Sequence, residues 1–195
     1  CKWWRVHGLE PMKSLLDTAI LAAQKAGEYQ KKKFRTLFFI KEKSPANLIT
    51  EVDLQSEKII LEVLKQNHPA IDFLTEEGGD PFMGTPPSHR WIIDPLDGTT
   101  NFAHGYPFFA ISIAYEKNNV IELGVVYLPI LDELFVAQRG KGAELNGKTI
   151  HVSKIDHIKD SLLGSGFPYN AWENDDNNTR EWSRMIKTVV SSRCE

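Results

Sequence analysis

Cysteine is nearly absent: among 195 residues there are two, Cys1 and Cys194, at opposite ends of the chain. That excludes a disulfide framework or a clustered thiolate zinc site as the basis of the fold. The six histidines are scattered, with no i, i+4 pair and no cysteine cluster beside them, which argues against zinc altogether. No apolar run approaches the roughly 20 residues that a membrane span requires. The opening CKWWRVHGLEP also lacks the apolar core and cleavage pattern of a secretory signal. Both absences point to a cytoplasmic protein with no membrane partner. Positive charge is not in excess either: the net charge of -3 leaves no footprint for nucleic acid. The local Lys31-Lys32-Lys33 cluster with Arg35 reads as a solvated helix face. No GxxxxGK[ST] occurs, so a P-loop nucleotide hydrolase is excluded, and there are no internal repeats or low-complexity tracts.

What is present suits a globular protein, with 42% hydrophobic and 25% charged residues over a length of one domain or one and a fraction. Residues 1–11 precede Met12 and any periodic pattern, and are read as a leader of doubtful origin. Ser14, with Asp17 at the capping-box position, starts a helix in which Leu16, Ile20, Ala23 and Ala26 keep helical spacing. Asp53 is expected to begin a second helix, carried by Leu54, Ile60, Val63 and Leu64 until Asn67, His68 and Pro69 stop it. The period then shortens. Ile71–Leu74, Trp91–Ile93, Phe108–Tyr115, Val120–Tyr127 and Leu134–Ala137 read as strands, with hairpin turns at Asn118-Asn119 and Asn146-Gly147. A further apolar run, Leu162–Phe167, precedes a polar loop and a helical pattern through Trp182, Met185, Ile186, Val189 and Val190, with no partner layer in sight. Helices followed by consecutive hairpins imply an α+β fold, a layered sandwich with a largely antiparallel sheet flanked by helices. The expected division is a domain over 12–153 and an incomplete second one over 154–195.

Acidic residues gather where strands hand over to loops: Glu76-Glu77 after one strand, and Asp94 and Asp97 in WIIDPLDGTTNF after another. Pro95 fixes its own backbone angle and biases Asp94 toward an extended conformation at the strand exit. Mg2+ takes oxygen ligands and keeps several waters, so these carboxylates and the Leu96 carbonyl make a reasonable cradle. Gly98 permits close backbone approach, while the amides and hydroxyls of a helical turn starting at Thr99-Thr100 would suit phosphate oxygens. Acidic residues beside Gly and Thr are ordinarily turn formers, but the whole nonapeptide with paired glutamates upstream exceeds that reading. Glu77 is a supporting or solvated residue beside Glu76.

The motif DPLDGTTNF, preceded by the Glu pair, resembles the hallmark of the inositol monophosphatase family of magnesium-dependent, lithium-sensitive phosphatases. The resemblance extends to NLITEVDLQSEK, LTEEGG, GVVYLP, GKGAELNGK and SGFPY, and so covers nearly all of Met12 to about Tyr169. It implies the inositol monophosphatase/sugar phosphatase type of sandwich. It further implies Glu76, Asp94, the Leu96 carbonyl and Asp97 as metal ligands for two or three Mg2+ ions per complete site. Gly98, Thr99 and Thr100 would hold phosphate, and Glu76, Thr99 and Asp53 would serve catalysis by a metal-activated water. Asp53 is either a helix N-cap or a supporting contact near the metals, or both. Lys41 or Lys43 is the candidate for a family lysine, and His104 for a substrate contact. The implied reaction is hydrolysis of a small phosphomonoester, foremost myo-inositol monophosphate, by a protein that is a homodimer when complete. The alternatives are 3'-phosphoadenosine 5'-phosphate, whose branch tends to show DGTKEF, fructose 1,6-bisphosphate, histidinol phosphate, or a catalytically impaired metal- and phosphate-binding fragment. The family's second motif, WD-x-A-A-G, does not occur, so the chain is expected to lack the C-terminal part.

Overall fold

The computed structural model describes residues 14–36, 40–44, 47–76, 78, 87–168 and 171–194, with the side chains of 40–49 and 194 left outside that description. Residues 1–11, Glu77 and Tyr169 therefore lie outside the described residues, as do the side chains of Lys41, Lys43 and Cys194. Packing divides the chain into two units, one of residues 1–40 and 49–150, the other of 41–48 and 151–195. Among the described residues no helix is long and apolar enough to cross a membrane.

The first unit opens with α1 (Leu15–Lys33), whose N-cap Ser14 accepts a hydrogen bond from the Asp17 amide at 3.1 Å. Its buried face is built from small residues, Ala19, Ala22, Ala23, Ala26 and Gly27, so the helix axis lies close to the sheet beneath it. A β-carbon on Gly27 would sit 2.5 Å from the Tyr127 ring. Helix α2 (Glu51–Asn67) begins two residues before the expected Asp53, because Thr50 is the N-cap and Asp53 is the third helical residue. The Thr50 amide donates to Asp53 at 2.8 Å, closing a capping box. Asp53 is thus not the N-cap.

Both helices cover one face of a seven-stranded sheet: β3 (Asp72–Thr75), β4 (His89–Asp97), β5 (Ala110–Lys117), β6 (Val120–Leu128), β7 (Glu133–Gln138), β8 (Gly142–Leu145) and β9 (Lys148–Ile150), in that spatial order. Only β3 and β4 run parallel; every later neighbour is antiparallel. Trp91, Ile93, Ile111, Ile113, Tyr115, Leu123, Val125 and Tyr127 alternate onto the helical side and form one core with the α1 alanines and Ile60, Val63 and Leu64. The turn residues Asn118 and Asn119 have φ of 50° and 61°, and Asn146 and Gly147 have 49° and 74°, the left-handed conformations that two-residue hairpins require. The fold class is α+β, as the pattern indicates.

Three expectations change. Strand β4 does not stop at Ile93 but runs to Asp97, with one extra residue inserted between Asp94 and Asp97 relative to β5. Pro95 fits that bulge because it has no amide to donate to the ladder. The lysine cluster is not merely solvated: Lys31 donates to the Tyr127 hydroxyl at 3.1 Å, Lys33 lies 3.5 Å from Glu51, and Arg35 donates to the Gly105 carbonyl at 3.2 Å. In the second unit the terminal helix, α4 (Thr179–Met185), ends early, and a strand takes over the residues after it. That strand, Ser191–Cys194, pairs in parallel with Leu162–Ser165, so the last strand does have a partner. Residues 186–190 turn between the helix and that strand, the Thr188 amide donating to the Met185 carbonyl at 2.9 Å. Separately, Ile40–Ser44 (β1) and Asn47–Thr50 (β2) form a two-stranded sheet.

Gly27→Ala tests the closeness of α1 to the sheet. Helix propensity favours alanine by about 1 kcal/mol, whereas overpacking costs about 1–3 kcal/mol. The Tyr127 ring cannot swing aside, since its hydroxyl is held by Lys31 and by Asp132 at 2.8 Å. A lower urea midpoint with unchanged m-value is expected, equivalent to a net loss of up to about 2 kcal/mol.

Candidate active site

The bulged end of β4 leads into Gly98 and then α3 (Thr99–Ala103). Gly98 has φ of 88°, and a β-carbon there would meet the Phe108 carbonyl at 3.2 Å and Phe109 at 3.3 Å, so both conformation and space demand glycine. The turn is clamped from below by a second core of Val52, Leu96, Phe102 and Phe109, with Phe34 packed against it. Phe102 and Phe109 meet edge to face with centroids 4.9 Å apart. Asn101 closes the turn by donating to the Phe108 carbonyl at 2.8 Å. The amides of the first helical turn have no intrahelical acceptors and face outward from its start.

Asp53 is 2% exposed and uses both carboxylate oxygens. One accepts from the Thr50 amide and from the Thr50 hydroxyl at 2.5 Å; the other accepts from the Thr99 hydroxyl at 2.7 Å. Capping and a link to the motif therefore coexist in one residue. The Thr99 hydroxyl also lies 3.0 Å from the Leu96 carbonyl. A hydroxyl has a single proton, and the carboxylate, nearer and charged, is the stronger acceptor. The Leu96 carbonyl, with two lone pairs, keeps acceptor capacity beyond its contact with Thr99.

Asp94 faces the open side of the sheet opposite Ser112, half buried, with one oxygen accepting from the Leu96 amide at 3.1 Å. Burial pushes its carboxyl up from 3.8 to about 7, aided by the like charges of Glu76 and Asp97 and by a hydrogen bond with Glu76. Glu76 is set at the end of β3, its amide donating to the Ile93 carbonyl at 3.2 Å, and the following turn is tied by the Gly78 amide to the Thr75 hydroxyl at 2.9 Å. Thr75, Glu76, Ile93, Asp94, Ser112 and Ala114 border an open hollow of about 480 Å³.

The turn thus brings Asp53, Thr99 and the Leu96 carbonyl together, and Asp94 together with Glu76. Among the described residues, no three acidic, histidine or cysteine side chains are gathered closely enough to hold one ion by themselves. Asp97 is exposed, as is His104 one turn beyond Thr100. The Thr100 hydroxyl is buried and has no hydrogen-bond partner among the described residues. Three contributors carry no acidic signal in the sequence: Thr50 and Ser56, both inside NLITEVDLQSEK, and Gln30, outside every motif, which donates to the Pro95 carbonyl at 2.7 Å. Thr50 stands three residues before Asp53, a capping-box spacing that identifies it.

Residues 12–192 match the sequence profile of the Inositol monophosphatase family. The inositol-1-monophosphatase of Rhizobium meliloti (strain 1021) is 41% identical over 158 residues, 80% of this chain and 59% of that protein. The inositol monophosphatase of Mesembryanthemum crystallinum is 43% identical over 155 residues, 78% of this chain and 57% of that protein. A Pseudomonas aeruginosa protein named Nus factor SuhB is 38% identical over 184 residues, 92% and 66% of the two chains. The chain spans less than two thirds of the length of these relatives. Among solved structures, the extragenic suppressor protein suhB from Bartonella henselae superposes with a TM-score of 0.83 at 35% identity, over 93% of this chain and 70% of that one. A Thermotoga maritima IMPase gives a TM-score of 0.83 at 30% identity, over 93% and 68%.

The carboxyl of Asp94 makes metal-free stability depend on pH. The unfolded chain ionises this group near 3.8, while the folded one holds its proton to about 7. Its contribution is therefore fully present below about 3.8 and lost as pH rises through about 7. In EDTA the urea midpoint is expected to fall across that window. Asp94→Asn should flatten the fall, and an equal slope in the variant would contradict the assignment.

Proposed function

The chain belongs to the inositol monophosphatase family, and from that premise we propose that it serves Mg2+-dependent hydrolysis of a small phosphomonoester, foremost myo-inositol monophosphate. The observation that carries the reading is the crowding at Asp94. Two carboxyl groups, those of Asp94 and Glu76, share a hydrogen bond where like charges repel. A divalent cation replacing that proton would relieve the repulsion. The donors on offer there are all hard oxygens, the Asp94 and Glu76 carboxylates and the Leu96 carbonyl, with Asp97 next along the turn, and this set suits Mg2+. Bound there, Mg2+ would neutralise phosphate charge and acidify a water.

The remaining tasks fall to this chain's own side chains. Thr99 donates its hydroxyl hydrogen bond to Asp53 in the resting state, and its oxygen keeps the capacity to accept a hydrogen bond from a water. Removal of a proton from that water through Thr99 would end on Asp53, which is held rigidly by the α2 capping box. The outward-facing amides from Gly98 through Thr100 would receive the phosphate oxygens, and Gly98 lets the backbone approach them. Thr100-Asn101 in place of Lys-Glu favours inositol phosphates over 3'-phosphoadenosine 5'-phosphate. The relatives named inositol monophosphatase support the same choice.

Phosphate release from a panel of monoesters, with and without Mg2+, tests the proposal. Turnover should favour inositol monophosphate, require Mg2+, and be inhibited by Li+. Thr99→Ala is expected to lose about 10²- to 10⁴-fold in kcat, the range for a positioned proton-transfer group, while Thr99→Ser retains most activity. Asp94→Asn should lose more than Thr99→Ala. Turnover unaffected by EDTA would overturn the reading, and binding of Mg2+ and phosphate without release would replace the hydrolase by a binding module.

A further inference from the structure

We infer that Gln30, on the buried face of α1, is a positioning residue for the Asp94 cradle. The inference rests on the magnesium reading above but concerns a residue outside its motifs. Gln30 is fully buried, yet it lies on a helix face otherwise made mostly of alanine. Its side-chain amide donates to the Pro95 carbonyl at 2.7 Å and lies 3.1 Å from the Ser56 hydroxyl. A carbonyl only accepts, so the nitrogen of Gln30 must be the atom facing Pro95. Its oxygen is consequently the buried atom without a hydrogen-bond partner among the described residues.

The Pro95 carbonyl and the Leu96 N–H belong to the same planar peptide unit. Gln30 holds that unit by its carbonyl edge, and Asp94 accepts from its amide edge at 3.1 Å. The proline ring already fixes the preceding φ, so the orientation of this peptide is the main freedom left in the bulge. Gln30 removes it, and with it the freedom of the Asp94 carboxylate and of the adjoining Leu96 carbonyl. A methionine of similar length would fill the same space without stranding a buried oxygen, at the cost of leaving the Pro95 carbonyl without this donor. What the glutamine holds is the Pro95 peptide, a place from which a partner orients a ligand from behind.

The test compares Mn2+ binding, followed by electron paramagnetic resonance, with metal-free thermal unfolding in wild type, Gln30→Met and Ser56→Ala. Gln30→Met should weaken Mn2+ binding by about 10- to 100-fold, as loss of such orienting contacts does, while the metal-free variant, though its Tm falls for want of the Pro95 contact, stays folded at the temperature of the binding measurement. Ser56→Ala keeps the Pro95 contact and should bind within about twofold of wild type. Equal Mn2+ affinity in Gln30→Met and wild type overturns the inference alone. Equal weakening in Ser56→Ala, or unfolding of both metal-free Gln30→Met and Gln30→Leu at the temperature of the binding measurement, assigns Gln30 a merely structural role and overturns it as well. Wild-type protein that binds no Mn2+ defeats the magnesium reading and the inference with it. If Gln30→Met does not fold, Gln30→Leu decides in its place, and failure of both to fold counts against positioning.

Discussion

Burial and repulsion at Asp94 set the constraint on which the rest of the first unit depends. Burial first, and then the like charges of Glu76 and Asp97, hold this half-buried carboxyl up to about 7 against the opposing hydrogen bond from the Leu96 amide. Such an arrangement persists only where the surroundings over-determine it. They do so through the strand-end bulge, the left-handed Gly98, the aromatic clamp of Phe34, Phe102 and Phe109, and the contacts that α1 and α2 extend to the turn from beneath the sheet. The hydrophobic core gives these contacts a fixed frame, since Trp91 and Ile93 are buried on the same strand that carries Asp94 toward the opposite face.

Asp53 shows how one carboxylate serves stability and chemistry together. As the third residue of α2 it satisfies the Thr50 amide, a local duty worth about 0.5–2 kcal/mol. Its other oxygen holds the Thr99 hydroxyl, a contact between residues 46 positions apart in the chain. The local duty fixes the rotamer that the distant contact requires, so the capping box holds still the carboxylate that Thr99 meets. Of the two expected roles, the N-cap falls to Thr50, while Asp53 is the third helical residue, which closes the capping box, and the contact of Thr99.

Much of this was legible in the sequence, for a physical reason. Alternation in Phe108–Tyr115 and Val120–Tyr127 and the Asn118-Asn119 turn report local pairing, which period and turn chemistry encode directly. Asp94, Leu96, Asp97 and Gly98 were visible because their spacing is itself the structure: four residues across one bulge. The length of β4 was not, since Pro95 signals an interruption whether the chain leaves the sheet or merely bulges within it. The strand Ser191–Cys194 was hidden because its partner, Leu162–Ser165, is distant in sequence and its own Ser-Ser-Arg carries no apolar pattern. Gln30 was hidden for the opposite reason: it continues a good helical periodicity, and only burial distinguishes it from a solvated glutamine.

Proton counting at Thr99 carries the argument one step further. Its hydroxyl lies within reach of two acceptors, the Asp53 carboxylate at 2.7 Å and the Leu96 carbonyl at 3.0 Å, and can satisfy only one. Were Asp53 absent, the hydroxyl would turn to the Leu96 carbonyl. Asp53 therefore fixes which way the Thr99 hydroxyl points and leaves the Thr99 oxygen able to accept a hydrogen bond of its own. Gln30 acts on the same peptide chain from the other side, through Pro95. The cradle is thus set by α1 and α2 as much as by the acidic motif, and its geometry is inherited from the packing of those helices on the sheet.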